Sequence, residues 1–371
     1  MHDKLKLTST VLDSAGIKAL NAEEWDRLCV NALAQNPFYA RQYVLAGLET
    51  LDRAAGVHAL AIRDGQETLV GLFPFRRRLV PPCLRLAQGA ENLYQFSGIP
   101  LVARDGAQAI VGAWLAAMVK GSVPCFWTMA NMPGDGPLRS MIDTAAAKHG
   151  FATHLVTPYS RPHLTGRLAD LDTHASQAIA KARFKDIQRN LRRLRDMGEL
   201  AFERTREPSQ VRRRLEEFLA MEQAGWKGAQ GTAFRSDALH EDFAQRAFGG
   251  DGLAVIDSLL LDGKPIAISI NIAKGDTAFT PKCAYDETLR KFGPGMVLEY
   301  LVIDRFYGNR EFADMDAATT TGGHVVLGLW DGQKQMGRLI IGPGGWRTDA
   351  LARGWQAAFD GKQRLKKWLK R

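Results

Sequence analysis

Helical and strand-like hydrophobic patterns alternate along the first half of the chain. Residues 21–34 begin with an asparagine that can cap a helix and with two glutamates that suit its first turn, so a helix is predicted there. Residues 56–80 contain two β-rich runs joined by Asp64-Gly65, a strong signal for a hairpin. The pattern then predicts further helices at 106–120 and 137–149 and further strands at 124–132 and 151–157.

The second half repeats this order. Residues 252–287 contain a second Asp-Gly turn, at 262–263, between two β-rich runs, and a third strand follows Gly275. Two copies of one unit are therefore predicted. The predicted fold class is α/β with mixed (α+β) sheets, as two tandem lobes that are each a twisted mixed β-sheet flanked by helices. The lobes are placed at 1–170 and 171–371, and the second lobe begins with a basic helical linker at 175–224.

Composition and cysteine spacing narrow the class of protein. The chain of 371 residues, 46% hydrophobic and 24% charged, is typical of a soluble globular protein with two or three domains. Its apolar runs are shorter than the roughly 18 residues that a membrane span needs, and its start lacks the apolar core of a secretory signal, so we expect a cytoplasmic protein. The four cysteines form no C-x-x-C pair, which predicts buried thiols and no bound metal.

The excess of basic residues suggests an anionic partner. Lysines and arginines exceed acids by nine, and the excess is concentrated at 181–195 and 361–371. The first segment fits a solvated helix face, or else a surface for a phosphate-bearing partner. The tail combines Trp355, Phe359 and Trp368 with six cations after residue 360, which fits a helix lying on an anionic membrane surface. A terminus docked on the protein or frayed is the alternative.

A glycine-rich turn stands between a strand pattern at 277–286 and a helical pattern that begins at Met296. Such a turn directs unpaired N–H groups and the positive end of the helix dipole at one spot, which suits a phosphate group. A simple capped turn is the alternative, and neither the P-loop nor the G-x-G-x-x-G pattern is present. The residues predicted to bind the phosphates are Arg290, Lys291, Gly293, Pro294, Gly295 and Met296.

This turn resembles the pyrophosphate loop of the GNAT acyltransferase superfamily, R/Q-x-x-G-x-G/A. Longer stretches, with Trp226-Lys227-Gly228, Ala284-Tyr285-Asp286 and Gly293-Pro294-Gly295 as the most specific pieces, resemble the double-GNAT family associated with bacterial cellulose and other exopolysaccharide loci, relatives of the Fem peptidyltransferases. The chain departs from that family at 317–330, where a Gly-x-x-x-Tyr-Lys-like stretch is expected, so the acceptor pocket is expected to differ.

The resemblance implies an N-acyltransferase in which only the second lobe binds the donor. The donor would be acetyl-CoA or another acyl-CoA, or an acyl carrier protein. The acceptor would be an amine on an envelope polysaccharide intermediate or on a lipid such as a sphingoid base, and membrane contact would place the protein at the inner membrane. Alternatives are a Fem-like enzyme that uses aminoacyl-tRNA and a non-catalytic regulatory or nucleic-acid-binding module. A nucleic acid is not expected, because the chain has no evident coiled-coil insertion and its loop is intact.

Transfer to an amine requires a base, and four residues near the predicted cleft are candidates. They are Asp286, Asp314, Asp316 and His324. Alternation along the strand from Phe312 puts Asp314 and Asp316 on one face, with Asp316 nearer its C-terminal end, so Asp316 is favoured as the catalytic residue. His324 is second because its pKa is normally near neutrality. Aspartates at strand ends are also often caps or ion-pair partners.

Substrate contacts are predicted on both sides of the cleft. Trp226 and Lys227 lie in a glycine-rich loop and would provide stacking and a cation for the acceptor, although Trp226 as a plug between lobes is an equal alternative. Lys282 and Tyr285 lie on the strand, where one face should line the cleft. Pro281 predicts a bulge or an edge. In GNAT folds this strand splays from its neighbour to admit the pantetheine arm, and one of its N–H groups polarises the thioester carbonyl.

Overall fold

The computed structural model describes residues 6–80, 84–250, 252–319 and 325–369. The strands are β1 (Thr8–Leu12), β2 (Val57–Arg63), β3 (Leu69–Val80), β4 (Leu84–Gly89), β5 (Leu101–Val102), β6 (Phe126–Pro133), β7 (Phe151–Leu164), β8 (Leu200–Thr205), β9 (Ala254–Leu261), β10 (Lys264–Ala273), β11 (Thr277–Tyr285), β12 (Asp314–Asp316) and β13 (Gly332–Pro343). The helices are α1 (Ser14–Lys18), α2 (Ala22–Asn31), α3 (Arg41–Glu49), α4 (Ala107–Val119), α5 (Pro137–Lys148), α6 (Leu171–Gln177), α7 (Lys181–Arg195), α8 (Pro208–Ala224), α9 (Trp226–Ala229), α10 (Ala238–Phe248), α11 (Pro294–Asn309) and α12 (Trp346–Leu369).

The chain divides into two compact units, each of which is made of segments that are not contiguous in the sequence. Unit 1 consists of Met1–Tyr39, Ala54–Ser160 and Gln335–Arg371, and unit 2 consists of Ala40–Arg53 and Arg161–Lys334. These units differ from the predicted lobes, which met at residue 170. The last segment belongs to the first unit rather than to the second, and a short early segment belongs to the second unit, because long-range strand and helix packing decides membership.

Unit 1 is built on a mixed sheet with the strand order β1-β2-β3-β4-β6-β13-β7. Neighbours from β1 to β4 are antiparallel, and β4 and β6 are parallel. Its core contains Phe73, Trp114 and Trp127, with ring centroids 4.8 Å apart for the first pair and 5.1 Å for the second. Aromatic pairs at these separations add to the stabilisation that burial provides.

The strands of unit 2 have the order β8-β9-β10-β11-β12, with the end of β7 beside β12. Neighbours from β8 to β11 are antiparallel, and β11 and β12 are parallel. The hairpin β9–β10 turns at Asp262 and Gly263, whose φ angles of 49° and 76° suit a two-residue turn with left-handed residues. Helices α7 and α11 contribute Leu194, Val297 and Ile303 to the core of this unit.

The two units share one plan, which confirms the predicted mixed α/β fold. Each unit has four antiparallel strands, then a helix, then a strand parallel to the fourth: β1 to β4, α4 and β6 in unit 1, where the short β5 precedes α4, and β8 to β11, α11 and β12 in unit 2. Along the chain, three helices separate β1 from β2, and three separate β8 from β9. The predicted hairpins at 56–80 and 252–287 are the β2–β3 and β9–β10 pairs.

The basic tail is part of α12. Side chains from 357 to 365 are exposed, including Phe359 and Leu365 at 37% and 56%. Contact of this helix with an anionic membrane remains a prediction. In the described ranges, no helix combines the length and the apolar character needed to cross a membrane.

Candidate active site

A split between β11 and β12 opens the sheet of unit 2. The two strands pair only from Thr277 to Phe279, although β11 continues to Tyr285. A shift of register between Ile270 and Ile272 of β10 marks a bulge where Pro281 lies, as predicted. Beyond the bulge, no described strand pairs with β11 on the side of β12.

Backbone groups of β11 face this split. The N–H of Asp286 donates to the carbonyl of Ile266 on β10, at 2.9 Å. Because backbone groups alternate in direction along a strand, those of Tyr285 and Cys283 point away from β10. The carbonyl of Cys283 agrees with this direction, since it accepts a hydrogen bond from Lys227 Nζ at 2.9 Å. The N–H groups of Cys283 and Tyr285 therefore face the split.

The predicted glycine loop ends in an unpaired donor at the start of α11. After β11 a short 3-10 helix, Glu287–Phe292, leads to Gly293, which has φ 55° and ψ 49°. The carbonyl of Gly293 accepts from the N–H groups of Met296 and Val297, at 3.0 and 3.1 Å, and Pro294 has no N–H. The N–H of Gly295 has no acceptor among the described residues, and it lies at the positive end of a helix of 16 residues.

The left-handed conformation of Gly293 leads to a prediction for stability. Gly293→Ala should lower the free energy of unfolding by about 1 to 2 kcal/mol, because an L-residue is strained at this φ. Gly293→Asn should lower it less, since asparagine tolerates the left-handed region better. Urea unfolding measures both. The matched control is Gly308→Ala in the same helix, where an added Cβ meets open space and helix propensity favours alanine. Equal stability of Gly293→Ala and wild type would contradict the prediction.

A cleft of about 430 Å³ connects the loop with the split. Most of the predicted ligand-binding residues line it: Trp226, Lys227, Tyr285, Arg290, Gly293, Pro294, Gly295 and Met296. Lys282 and Lys291 are not among its lining residues, and their Nζ atoms lie 4.2 Å from the ring centre of Phe234 and 4.9 Å from that of Phe292.

Trp226 and Lys227, the two residues of the predicted acceptor loop, differ in their contacts. Trp226 is 51% exposed at the cleft and remains available for stacking. Lys227 instead makes an internal link, because its Nζ lies 3.0 Å from Glu222 Oε1 as well as bonding to β11. Lys282 Nζ lies 3.5 Å from the same carboxylate, and burial lowers the pKa of Lys282. We call Glu222, Lys227 and Lys282 the two-lysine cluster.

The aspartates predicted as bases have other partners. Asp286 caps the 3-10 helix by accepting from Thr288 N at 2.9 Å. Asp316 is fully buried, does not line the cleft, and lies 2.7 Å from Arg161 Nε and 3.5 Å from Lys334 Nζ. Burial alone would raise the pKa of Asp316, but these cations hold it below its usual value.

Asp314 is not among the lining residues of the cleft. Asp314 pairs with His163 Nε2 at 3.2 Å. Burial opposes ionisation of Asp314, yet this pairing keeps its pKa below the usual value. His324 lies outside the described residues.

Glu299, which the sequence analysis did not select, is a buried acid that lines the cleft. It lies on α11, one turn after Gly295, and is only 1% exposed. Its Oε1 accepts from Ser269 Oγ at 3.1 Å, while Oε2 has no partner among the described residues. Burial raises the pKa of Glu299 from 4.5 to about 8. The sequence signal was a lone acid within the apolar run 296–303.

The sequence of this region matches a known family model. Residues 181–321 match the family model described as an acetyltransferase (GNAT) domain. Over this segment the chain resembles GNAT acetyltransferases. The match covers α7 to β12 and most of the cleft, and it bears out the prediction of a GNAT-type transferase. No curated protein matches the chain in sequence.

Solved structures share the fold beyond the matched segment. FemX covers 86% of this chain and 96% of its own, with a TM-score of 0.57 and 10% identity. A second match is the C-terminal DUF2156 domain of an Agrobacterium fabrum protein described as a lysylphosphatidylglycerol synthetase. The match covers 90% of this chain and 95% of that domain, with a TM-score of 0.55 and 12% identity. The match to a Bacteroides thetaiotaomicron protein of unknown function covers 87% of this chain and 97% of that protein, with a TM-score of 0.52 and 11% identity. At such identities the likeness concerns the fold alone. The fold is therefore shared with FemX, while the predicted family relation to Fem-like proteins and the predicted link to cellulose loci stay predictions.

Proposed function

We propose that the cleft of unit 2 binds an acyl-CoA and transfers its acyl group to an amine. The observation that carries this proposal is the continuity of three features: the unpaired N–H of Gly295, the N–H groups of Tyr285 and Cys283 at the split, and the cleft between them. A diphosphate fits the helix N-terminus, and an extended arm fits a strand edge with free donors.

The residues present suit each part of such a ligand. Gly295 N–H and the N-terminus of α11 would hold the diphosphate, with Arg290 at the same wall of the cleft. Tyr285 and Cys283 would hold the pantetheine arm through their N–H groups. The N–H of Cys283 would then donate to the oxygen of the reacting carbonyl and stabilise the negative charge that develops there. The bound group supplies an activated thioester.

The acceptor proposed here is an amine on an envelope polysaccharide intermediate or on a sphingoid-type lipid. The exposed ring of Trp226 at the cleft suits stacking on a sugar or covering an aliphatic chain. An acyl carrier protein is an alternative donor, because it presents the same pantetheine thioester without the nucleotide. Exposed cations on α12 support a lipid acceptor or membrane contact, since they would attract anionic head groups.

Calorimetric titration with CoA, acetyl-CoA and longer acyl-CoAs tests the donor. We expect saturable binding, with a dependence on chain length that separates small acyl donors from lipid-type ones. Absence of binding at millimolar CoA would reject the CoA proposal and favour an aminoacyl-tRNA donor or a non-catalytic module.

A pair of variants at Gly295 tests the location. Gly295→Asp should weaken CoA binding at least about tenfold, because like charges in contact cost about 1 to 4 kcal/mol. A Cβ there would lie 3.5 Å from Tyr285, so a small side chain fits, and an acid near a helix N-terminus does not destabilise the fold. Gly295→Asn is the uncharged control of the same size. Equal affinities of the two variants would contradict a diphosphate site at this position.

A further inference from the structure

Glu299 combines three properties that are rarely found in one carboxyl group. It is fully buried, it lines the cleft, and one of its oxygens has no hydrogen-bond partner among the described residues. Burying an acid without full pairing is costly, so such a group usually has a function beyond packing. Its neighbours in the apolar run, Val297, Leu298, Val302 and Ile303, are buried hydrophobic residues, which shows what packing alone selects on this helix.

The register of the sheet places Glu299 at the level of Cys283, whose N–H is the proposed donor to the reacting carbonyl. Ser269 of β10 is directly opposite Cys283 of β11. The hydroxyl of Ser269 donates to Glu299 Oε1 at 3.1 Å, so the carboxyl group lies at the level of Cys283. Gly295 is four residues earlier in the same helix, which puts the anion-binding end about 6 Å away along the helix axis. Glu299 and the Cys283 N–H therefore lie at one level of the cleft.

Among the described residues, the charged groups around Glu299 are paired with other groups. On β9 and β8, Asp257 and Arg204 pair with each other at 2.7 and 2.9 Å, so Arg204 is already neutralised. Ser269 on β10 is neutral. Cys283 on β11 is a neutral thiol, because burial raises its pKa to about 11. The two-lysine cluster on α8, α9 and β11 pairs around its own carboxylate.

We propose that Glu299 is the general base that takes the proton from the acceptor amine. This inference rests on the proposed function. The amine nitrogen forms a bond to the carbonyl carbon as the carbon–sulfur bond breaks. Glu299 receives the proton that the nitrogen loses, and that proton then passes to the departing thiolate, so the products are an amide, a free thiol and an unchanged enzyme.

The structure gives a reason for preferring this residue to the aspartates. A base is most effective when its pKa lies near the working pH. Asp316 and Asp314 are held ionised by Arg161 and His163, and their lowered pKa values make them weak bases. Burial moves the pKa of Glu299 to about 8.

Glu299→Gln is the decisive variant, because glutamine keeps the shape and can still accept from Ser269. With acetyl-CoA as donor and glucosamine or sphinganine as acceptor, we expect kcat to fall about 10²- to 10⁴-fold. CoA affinity by calorimetry should stay within about twofold of wild type. In wild type log kcat/KM should rise with pH and level off above about 8, and this rise should disappear in the variant. An increase of log kcat/KM that is caused by deprotonation of the acceptor amine should remain in both proteins.

A second readout does not require turnover. The infrared difference spectrum between wild type and Glu299→Gln, without ligand, should contain a protonated carboxyl band at pH 6 that is lost as the pH passes about 8. Asp286→Asn tests Asp286 as the alternative base in the same pH profile of kcat/KM. Asparagine can keep the cap at Thr288, so the fold should be preserved.

The outcomes separate the two proposals. Failure of CoA to bind overturns the proposed function. CoA binding with an unchanged kcat in Glu299→Gln, or loss of the pH-dependent rise in Asp286→Asn instead, overturns only the role of Glu299. Absence of thiol release with both amines, or absence of the carboxyl band, also counts against it.

Discussion

Arg161→Met is expected to destabilise the protein by about 3 to 5 kcal/mol at neutral pH. Arg161 and Asp316 are 1% and 0% exposed, and the guanidinium contacts both carboxylate oxygens, at 2.7 and 2.8 Å. Removing the arginine leaves a buried carboxylate with Lys334 at 3.5 Å and the N–H of Ala318 at 2.9 Å. Breaking one side of a buried pair has this cost because the remaining charge is uncompensated. Urea unfolding at pH 7 measures it.

The pH dependence of this loss has a definite sign. The pKa of Asp316 is lowered in the folded protein, so the pair stabilises above the pKa of an unfolded aspartate, near 4, and this contribution is lost as the pH falls through the folded value. The difference between wild type and Arg161→Met should therefore shrink in acid.

Two variants serve as controls for Arg161→Met. Arg246→Met removes ion pairs with Asp242 and Glu49 in which the three side chains are 39% to 47% exposed, and it should cost at most about 1 kcal/mol. The double variant Arg161→Met with Asp316→Leu should recover much of the loss, since replacing both partners by apolar residues is often neutral. If Arg161→Met lowers the free energy of unfolding no more than Arg246→Met does, the prediction that the buried pair is the more stabilising one is wrong.

Local signals in the sequence predicted most of the fold. The hairpins followed from Asp-Gly dipeptides, and the helix at 21–34 followed from Asn21, whose side chain accepts from Glu24 N at 3.0 Å. The glycine loop was predicted because a left-handed residue and a proline at a helix start have local causes. Membership of 335–371 in unit 1 depends on contacts distant in sequence, which no local pattern contains.

The site was harder to predict, because the function of an acid depends on its neighbours. Asp316 was favoured by alternation along its strand, but its partner Arg161 is 155 positions away in the sequence. Conversely, Glu299 lies on an apolar helix where an acid suggests an exposed position, and only the sheet beneath it makes the acid buried. The backbone donors of the loop were predictable, whereas the charge state of side chains was not.

Glu299→Gln should also change how stability depends on pH. In wild type the folded protein binds a proton at Glu299 up to about pH 8, whereas an unfolded glutamate releases it near 4.5. Between these values the folded state holds more protons, so the free energy of unfolding of wild type falls as pH rises. The variant lacks this term. It should be more stable than wild type by an increment that grows from near pH 5 to about 3 kcal/mol at pH 7 and about 4 to 5 kcal/mol above pH 9.

Unfolding curves at a series of pH values measure this increment, and Glu199→Gln is the control, because Glu199 is an exposed acid in the same unit. Its difference from wild type should be within about 0.5 kcal/mol at neutral pH, because substitutions at exposed positions have small effects on stability. A constant difference for Glu299→Gln would mean that Glu299 is ionised at neutral pH and is stabilised by groups other than Ser269. Growth of the increment, together with an unchanged affinity for CoA, would mean that the folded protein carries a destabilising acid at the point where the proposed reaction needs a base. Such a cost to stability is expected at catalytic sites, since a group arranged to exchange a proton near neutral pH cannot also be fully paired.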